Sequence, residues 1–326
     1  MKVLIYGVGV IGSLTVHALC KAGNDVTVVA RGSWKEVLEK RGLTVKTHSG
    51  EKEWTDHPRV LSEYDGDRYD VAFSIMQNQQ QWNMLDILAG VQANYIVLTG
   101  NNMQSADMEQ KLEAEGCDPK KILFAFQTSG GQRHKDYTEI VTFGRTEFTI
   151  GHRNRELNQE EKEFFRQLFQ DSEMKLSYMD DMESWYRCHA AFVLPIAYLA
   201  YMHHCNLEAC GWKDADAYVR AVRESYAFLW SVGTKIRPKN DDRNLIGIRS
   251  FLLKFILWIA AKTKLGELAA GAHCRNAVTE MQFLDERFQE LRTQNPAFPL
   301  PTFDSLRSEM PDWEQLHRQY DKTGRN

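Results

Sequence analysis

Hydrophobic positions along this chain keep two rhythms. In the first half they come as short β-branched or aliphatic runs: Val3-Leu4-Ile5-Tyr6, Val26 to Val29, Tyr69 to Ile75, Tyr95 to Thr99, Ile122 to Gln127, Glu139 to Phe143 and Glu147 to Ile150. Such runs, broken by turn residues and helical patterns, predict strands of a sheet covered on both faces, where continuous apolar stretches replace strict alternation. A helix is expected up to Lys21, a shorter one over Trp34 to Arg41, and a small hairpin over Leu43 to Thr47 and Glu51 to Trp54 around Ser49-Gly50. Ser129-Gly130-Gly131 and Gly144-Arg145 read as separators between the later strands.

The pattern changes around Gly151. Apolar positions recur with helical spacing from Asn158 to Phe169, and Lys175 to Tyr178 reads as one more edge strand. Beyond Asp180 the pattern is helical: Trp185 to His203, Ala215 to Gly233, Leu245 to Lys262 and Ala270 to Leu291, then a loop rich in proline at Pro296, Pro299 and Pro301 before a terminal helix. The expected architecture is an α/β N-terminal domain over residues 1–178 and an all-α C-terminal domain over residues 179–326.

One stretch carries chemistry on its own. The first strand meets Gly7-Val8-Gly9-Val10-Ile11-Gly12, which opens the first helix, and a second strand follows. Strand, glycine turn, helix and strand in this order suit a dinucleotide. Gly7 permits the sharp turn, Gly9 lets the backbone approach a pyrophosphate, and Gly12 lets helix and strand pack closely. The pyrophosphate would rest on the helix N-terminus, whose N–H groups and dipole favour an anion. This makes the first domain Rossmann-type. Its second strand ends in Val29-Ala30-Arg31-Gly32-Ser33, with no carboxylate for a ribose 2′-OH. Arg31, helped by Ser33 and Lys35, is instead placed for a 2′-phosphate, so NADP(H) is the expected cofactor. The loop Gly100-Asn101-Asn102-Met103 follows a strand end and is expected at the nicotinamide end, although asparagines also suit turns and caps.

Composition removes several alternatives. A formal charge of −4 and 43% hydrophobic residues over 326 residues point away from nucleic acid, a polybasic membrane tether and disorder. The longest apolar run, Phe251 to Ala261, is interrupted by Lys254, is too short to span a bilayer, and reads as a buried helix. No export leader is expected, since the strand begins at once. The six cysteines lack paired spacing, so reduced thiols in a cytoplasmic protein are expected. His203-His204-Cys205 with Cys210 invites a metal reading. Adjacent helical residues point in different directions and no second ligand pair follows, so no metal is expected.

With these residues in place, the chain resembles the ketopantoate reductase family over nearly its whole length. The likeness rests on Gly7 to Gly12 with Arg31, on Gly100 to Met103, on Phe143-Gly144 leading to Thr149-Ile150-Gly151, on Trp185 opening the first helix of the second domain, and on Thr279-Glu280-Met281. It implies an NADPH-dependent reductase of a small carbonyl substrate, with Asn101 near the reacting end, Met76 on the cofactor and Glu280 near the substrate. Helical domains that often pair are also implied, and the apolar load from Phe251 to Trp258 allows a homodimer.

The departures fall on the catalytic face. The family's general-acid lysine is replaced by Arg187 counted from Trp185, or by Tyr186 counted from Pro195. The asparagine one turn later falls on Ala190 or Ala191, the lysine after the Tyr69 to Ile75 strand is Met76, and a carboxylate-facing serine falls near Leu268. Arginine can stabilise an oxyanion or grip a carboxylate but is a poor acid. Tyr186 and His189, three apart on one helix, form the preferred proton source, the histidine with an ordinary pKa near ~6.5. A substrate larger and less polar than ketopantoate is expected. The competing reading is a non-catalytic NADP-sensing or partner-binding protein that kept the cofactor site and lost the acid.

Overall fold

The computed structural model describes residues 1–141, 144–263 and 266–320, without the side chains of residues 268 and 269. The chain divides into two compact units, Met1–Glu183 and Ser184–Asn326. Phe143, part of the family resemblance, and the side chain of Leu268 lie outside the described residues.

The first unit opens with strand β1 (Lys2–Tyr6), helix α1 (Val10–Lys21) and strand β2 (Asp25–Val29), then α2 (Gly32–Arg41), β3 (Leu43–Thr47), β4 (Glu53–Asp56), β5 (Arg59–Leu61) and β6 (Tyr69–Ile75). The short helices α3 (Asn78–Trp82) and α4 (Leu85–Ala89) lead to β7 (Ala93–Thr99), α5 (Ser105–Ala114), β8 (Ile122–Gln127), β9 (Gly130–Arg133), β10 (Thr138–Val141), β11 (Glu147–Gly151), α6 (Gln159–Leu168) and β12 (Lys175–Met179). Eight strands form one sheet in the order β12-β11-β8-β7-β6-β1-β2-β5. Neighbours are parallel except β11 with β8. Chain order reverses at β1, which lies between β2 and β6, so the crevice beyond its carboxyl end is the topological switch point where open α/β sheets bind ligands.

The expected hairpin exists, but it belongs to a second sheet of four strands, β4-β3-β10-β9. Here Gly130-Gly131 is strand rather than separator: β9 pairs antiparallel with β10, Val141 opposite Gly130. A side chain at Gly131 would meet the carbonyl of Glu139 at 2.0 Å, so the glycine permits close pairing and was misread as a turn. This sheet packs on α1, which also contacts β1 and β2, so every residue from Gly12 to Leu19 is buried. A helix covered on both sides must satisfy its polar side chains internally. Ser13 shares a hydrogen bond with Thr138 at 3.0 Å, the Thr15 hydroxyl donates to Gln127 Oε1 at 2.7 Å, and His17 meets Asp56 at 2.8 Å while stacking on Trp54.

The second unit is helical, with α7 (Met182–Met202) running into it across the unit boundary, then α8 (Trp212–Ser231), α9 (Gly247–Ala261), α10 (Ala272–Asn276), α11 (Val278–Arg292), α12 (Pro301–Glu309) and α13 (Trp313–Tyr320). Its core centres on Tyr198, Phe228, Phe288 and Phe303, and on Asp285, which is 0% exposed. Glu224 of α8 accepts hydrogen bonds from the backbone N–H groups of Thr302 and Phe303 and from the Thr302 hydroxyl, capping α12 across the unit.

Two helix expectations are corrected. The segment Ala270 to Leu291 is not one helix: it breaks at Ala277 (φ −131°, ψ 37°), with no Gly or Pro to announce it. The Tyr201 hydroxyl donates to the Cys274 carbonyl at 3.0 Å, supplying a partner at the end of α10. The apolar helix α9 is not buried either. Phe251, Leu252, Phe255, Ile256 and Ile259 are exposed, and none of its described residues is in the core. Apolar content alone cannot say what covers a helix.

Candidate functional site

In the first unit the site is built at the turn from β1 into α1. Gly7 has φ +92°, and a side chain there would meet the Ile75 carbonyl at 2.2 Å and Met76 Cγ at 2.7 Å. Met76, half-buried, therefore closes over the turn. A side chain at Gly12 would stand 1.9 Å from the Gly7 carbonyl, so the helix can approach the strand only without one. At Gly9 the outcome is opposite: nothing lies within 4 Å of where a Cβ would be. That open cradle faces the N-terminus of α1, where Gly9 is the N-cap, no side chain caps the helix, and the first turn holds no acidic residue. Val8 is buried and Val10 and Ile11 pack partly against the core, so these residues offer backbone rather than side chain to a ligand.

Two glutamines that the sequence reading passed over hold the carboxyl ends of the strands. Gln81 donates through Nε2 to the carbonyls of Ser74 at 2.9 Å and Thr99 at 2.8 Å, tying β6 to β7. Gln127 donates to the Ser129 hydroxyl and, at 3.5 Å, to the Ile11 carbonyl, while accepting from Thr15. Gln81 lies in α3 and Gln127 ends β8, and nothing in a run of glutamines tells which one is buried. Asn102 is buried in a turn, accepting from Asn78 and from the Gln104 N–H, whereas Asn101 beside it is half-buried. Among the described residues, Ser74 Oγ, Asn78 Oδ1, Thr99 Oγ1 and, at the end of β1, Tyr6 Oη are buried without a hydrogen-bond partner. Unmet capacity at strand ends is what a polar ligand would satisfy.

At the end of β2, Arg31 and Ser33 are exposed at the start of α2. The Lys35 ammonium lies 2.5 Å from Glu39 one turn along the helix, an exposed pair. Trp34 is buried beside them, with the Arg133 guanidinium 5.3 Å over its ring. Arg133 comes from β9, so sequence distance hid it.

In the second unit, Trp185, Tyr186, Arg187 and His189 lie on α7. Tyr186 is buried, and Trp185 stacks on His189 one turn away, centroids 4.9 Å apart. Arg187 donates to the Thr234 hydroxyl at 3.1 Å. Glu280 is buried in the first turn of α11 at 9% exposure, near Cys274 and Tyr201, whose pKa values are raised mainly by burial with a small addition from its charge.

His189 departs from expectation. Burial pushes its pKa down to about 4, with the neighbouring His273 adding to the shift. At neutral pH the imidazole is thus uncharged: it can accept a proton or a hydrogen bond, but it is not the ready imidazolium acid that a pKa near ~6.5 implied. The unfolded chain takes up a proton below ~6.5 while the folded ring stays neutral to about 4, so stability falls as pH drops through that window. The expected loss is about 3 kcal/mol at most. His152, also lowered by burial and partly restored by Glu161, acts in the same direction. Urea midpoints followed from neutral pH to about pH 4 should therefore fall less steeply in His189→Gln than in the parent; equal slopes would refute the shift.

Known proteins match this chain in sequence and in fold. Residues 3–155 fit the family described as ketopantoate reductase PanE/ApbA. A 2-dehydropantoate 2-reductase of Pyrococcus horikoshii is 46% identical over 46 residues, a stretch covering 14% of this chain and only 15% of that protein. Among solved structures, a D-mandelate dehydrogenase with NADH and anilino(oxo)acetate superposes with TM-score 0.74 at 14% identity, covering 99% of both chains. A PanE/ApbA family ketopantoate reductase from Ralstonia eutropha JMP134 gives TM-score 0.72 at 14% identity over 98% of this chain and 100% of that one. The 2-dehydropantoate 2-reductase of Geobacter metallireducens GS-15 gives 0.73 at 13% over 97% and 99%. At these identities the structures speak for the fold. Residues 3–155 thus match the ketopantoate reductase PanE/ApbA family model, and the chain as a whole shares the fold of these solved structures.

Proposed function

We propose that this protein is an NADPH-dependent oxidoreductase that reduces a carbonyl substrate, a 2-oxo acid or related ketone, and that ketopantoate is not its substrate. The observation that carries the reading is the open cradle at Gly9 before an uncapped helix N-terminus, followed at the end of β2 by an exposed Arg31 where a carboxylate would select NAD. When bound, NADPH supplies the hydride. The backbone of Gly7 to Gly12 holds the pyrophosphate, Arg31 with Ser33 holds the 2′-phosphate, and Met76 and Asn101 confine the nicotinamide end. Tyr186 donates the proton to the carbonyl oxygen. His189, neutral at pH 7, accepts a hydrogen bond instead of acting as the acid. Arg187 grips a substrate carboxylate, and Glu280 orients the substrate.

Arg31→Ala should weaken NADPH binding about 10- to 100-fold, the worth of a charge-assisted hydrogen bond, and leave NADH binding within about threefold. Equal effects on both cofactors would remove the 2′-phosphate assignment. Turnover is tested by NADPH oxidation against a panel of 2-oxo acids, ketones and aldehydes. Tight NADPH binding without turnover of any of them would favour the second reading, an NADP-responsive binding protein, for which the missing lysine at Arg187 is the motive.

A further inference from the structure

The loop joining α7 to α8 and the first turn of α8 gather three side chains that the cofactor reading does not use. His203 follows the last residue of α7, and the chain then turns back through His204 and Cys205, both at positive φ (53° and 59°). A single 3-10 turn, Leu207–Ala209, delivers Cys210 to the start of α8. Asp214, in the first turn of α8, accepts from the Gly211 N–H at 2.6 Å and holds the same Oδ2 3.4 Å from His203 Nε2. The ligand atoms of His203, Cys210 and Asp214 all lie within 4.8 Å of one another.

We propose that His203, Cys210 and Asp214 bind a zinc ion through Nε2, Sγ and a carboxylate oxygen, with water completing a tetrahedral site. The ligand set is one imidazole, one thiolate and one carboxylate, which suits a borderline cation and excludes a hard one such as calcium. Atoms around tetrahedral zinc stand about 3.4–3.8 Å apart, so only small side-chain adjustments close the set from its present spacing. A second observation points to a ligand at this place. His203 Nε2 is buried without a hydrogen-bond partner among the described residues, although its ring reaches the carboxylate and thiol. The helix geometry that argued against His203-His204-Cys205 as ligands does not apply, because the other two positions come from the loop (Cys210) and from the first turn of α8 (Asp214).

The surrounding charges are accounted for. Cys210 is buried beside Asp214. Zinc binding releases the Cys210 thiol proton to solvent as the sulfur–metal bond forms. The nearby cation, Lys262, is occupied on backbone, donating to the carbonyls of Cys210 at 2.7 Å and of Glu208. A neutral imidazole, a thiolate and a carboxylate balance the dication. Bound zinc would pin the end of α7 to the beginning of α8.

The test uses full-length protein stripped with chelator and titrated with zinc chloride or cobalt chloride. The expected result is one tight equivalent per chain, a thiolate-to-cobalt charge-transfer band, and a melting temperature raised by zinc. Cys210→Ser should abolish the band and weaken zinc binding at least about 100-fold, and His203→Gln at least about tenfold, while Cys117→Ser changes neither. The cobalt band in the parent protein needs no variant to fold. Its absence, or its persistence in Cys210→Ser, would overturn the site. Zinc affinity unchanged in His203→Gln would do the same.

Discussion

Gly12→Ala is expected to abolish measurable NADPH binding, with a loss of at least about 100-fold, and to destabilise the first unit by about 1–3 kcal/mol. The added methyl would stand 1.9 Å from the Gly7 carbonyl. A surface helix could relieve this by moving away, but α1 is packed between the two sheets and anchored by Ser13, Thr15 and His17. The displacement must therefore fall on the turn itself, which carries the N–H groups proposed for the pyrophosphate. Alanine's better helix propensity, worth about 1 kcal/mol over glycine, does not offset overpacking of this kind.

Gly9→Ala is the paired control. Its Cβ meets nothing in the chain, so urea stability should stay within about 0.5 kcal/mol while NADPH binding falls, because the methyl occupies the space proposed for the phosphate. Calorimetric NADPH titration and urea denaturation of both variants separate the two effects. If Gly12→Ala bound NADPH within about threefold of the parent, the geometry of the turn would have been misjudged.

The second large effect lies in the helical unit. Asp285→Ala should cost that unit about 3–5 kcal/mol. Its carboxylate is 0% exposed and receives both arms of Arg307 at 2.8 Å, the Tyr198 hydroxyl at 2.6 Å and the Trp313 indole N–H at 3.2 Å. Removing it leaves a guanidinium, a phenol and an indole without their acceptor, and desolvation of those groups dominates the cost. Arg307 keeps 38% of its side chain exposed and can recover some water contact, which favours the lower end of the range. Asp285→Asn keeps one acceptor oxygen and should lose less. Urea unfolding followed by tryptophan fluorescence, with Trp313 as a local reporter, reads the difference. A loss under about 1 kcal/mol would show that the network contributes little to stability.

The two halves of the chain were unequally legible. Strands β1, β6 and β8 stand where apolar runs predicted them, because strands covered on both faces need continuous apolar side chains. The Gly7 to Gly12 turn was legible because it is local: three glycines at fixed spacing meet the steric needs of one bend. Segments whose meaning depends on distant partners were not. Gly130-Gly131 looks like a turn until β10 lies beside it. An apolar α9 looks buried, and the fold leaves it exposed.

By itself, then, the sequence determined the core strands of the main sheet, the glycine turn with its arginine, and the change from α/β to helical pattern, all of which follow from side-chain periodicity and local backbone sterics. Only the tertiary structure decided that α1 is buried between two sheets, that Gln81 and Gln127 tie the strand ends, that His189 is held neutral, and that His203 meets Cys210 and Asp214. The reason is physical. Periodicity reports which face of an element is apolar, whereas desolvation, pKa and ligand geometry depend on which groups from elsewhere in the chain arrive against it.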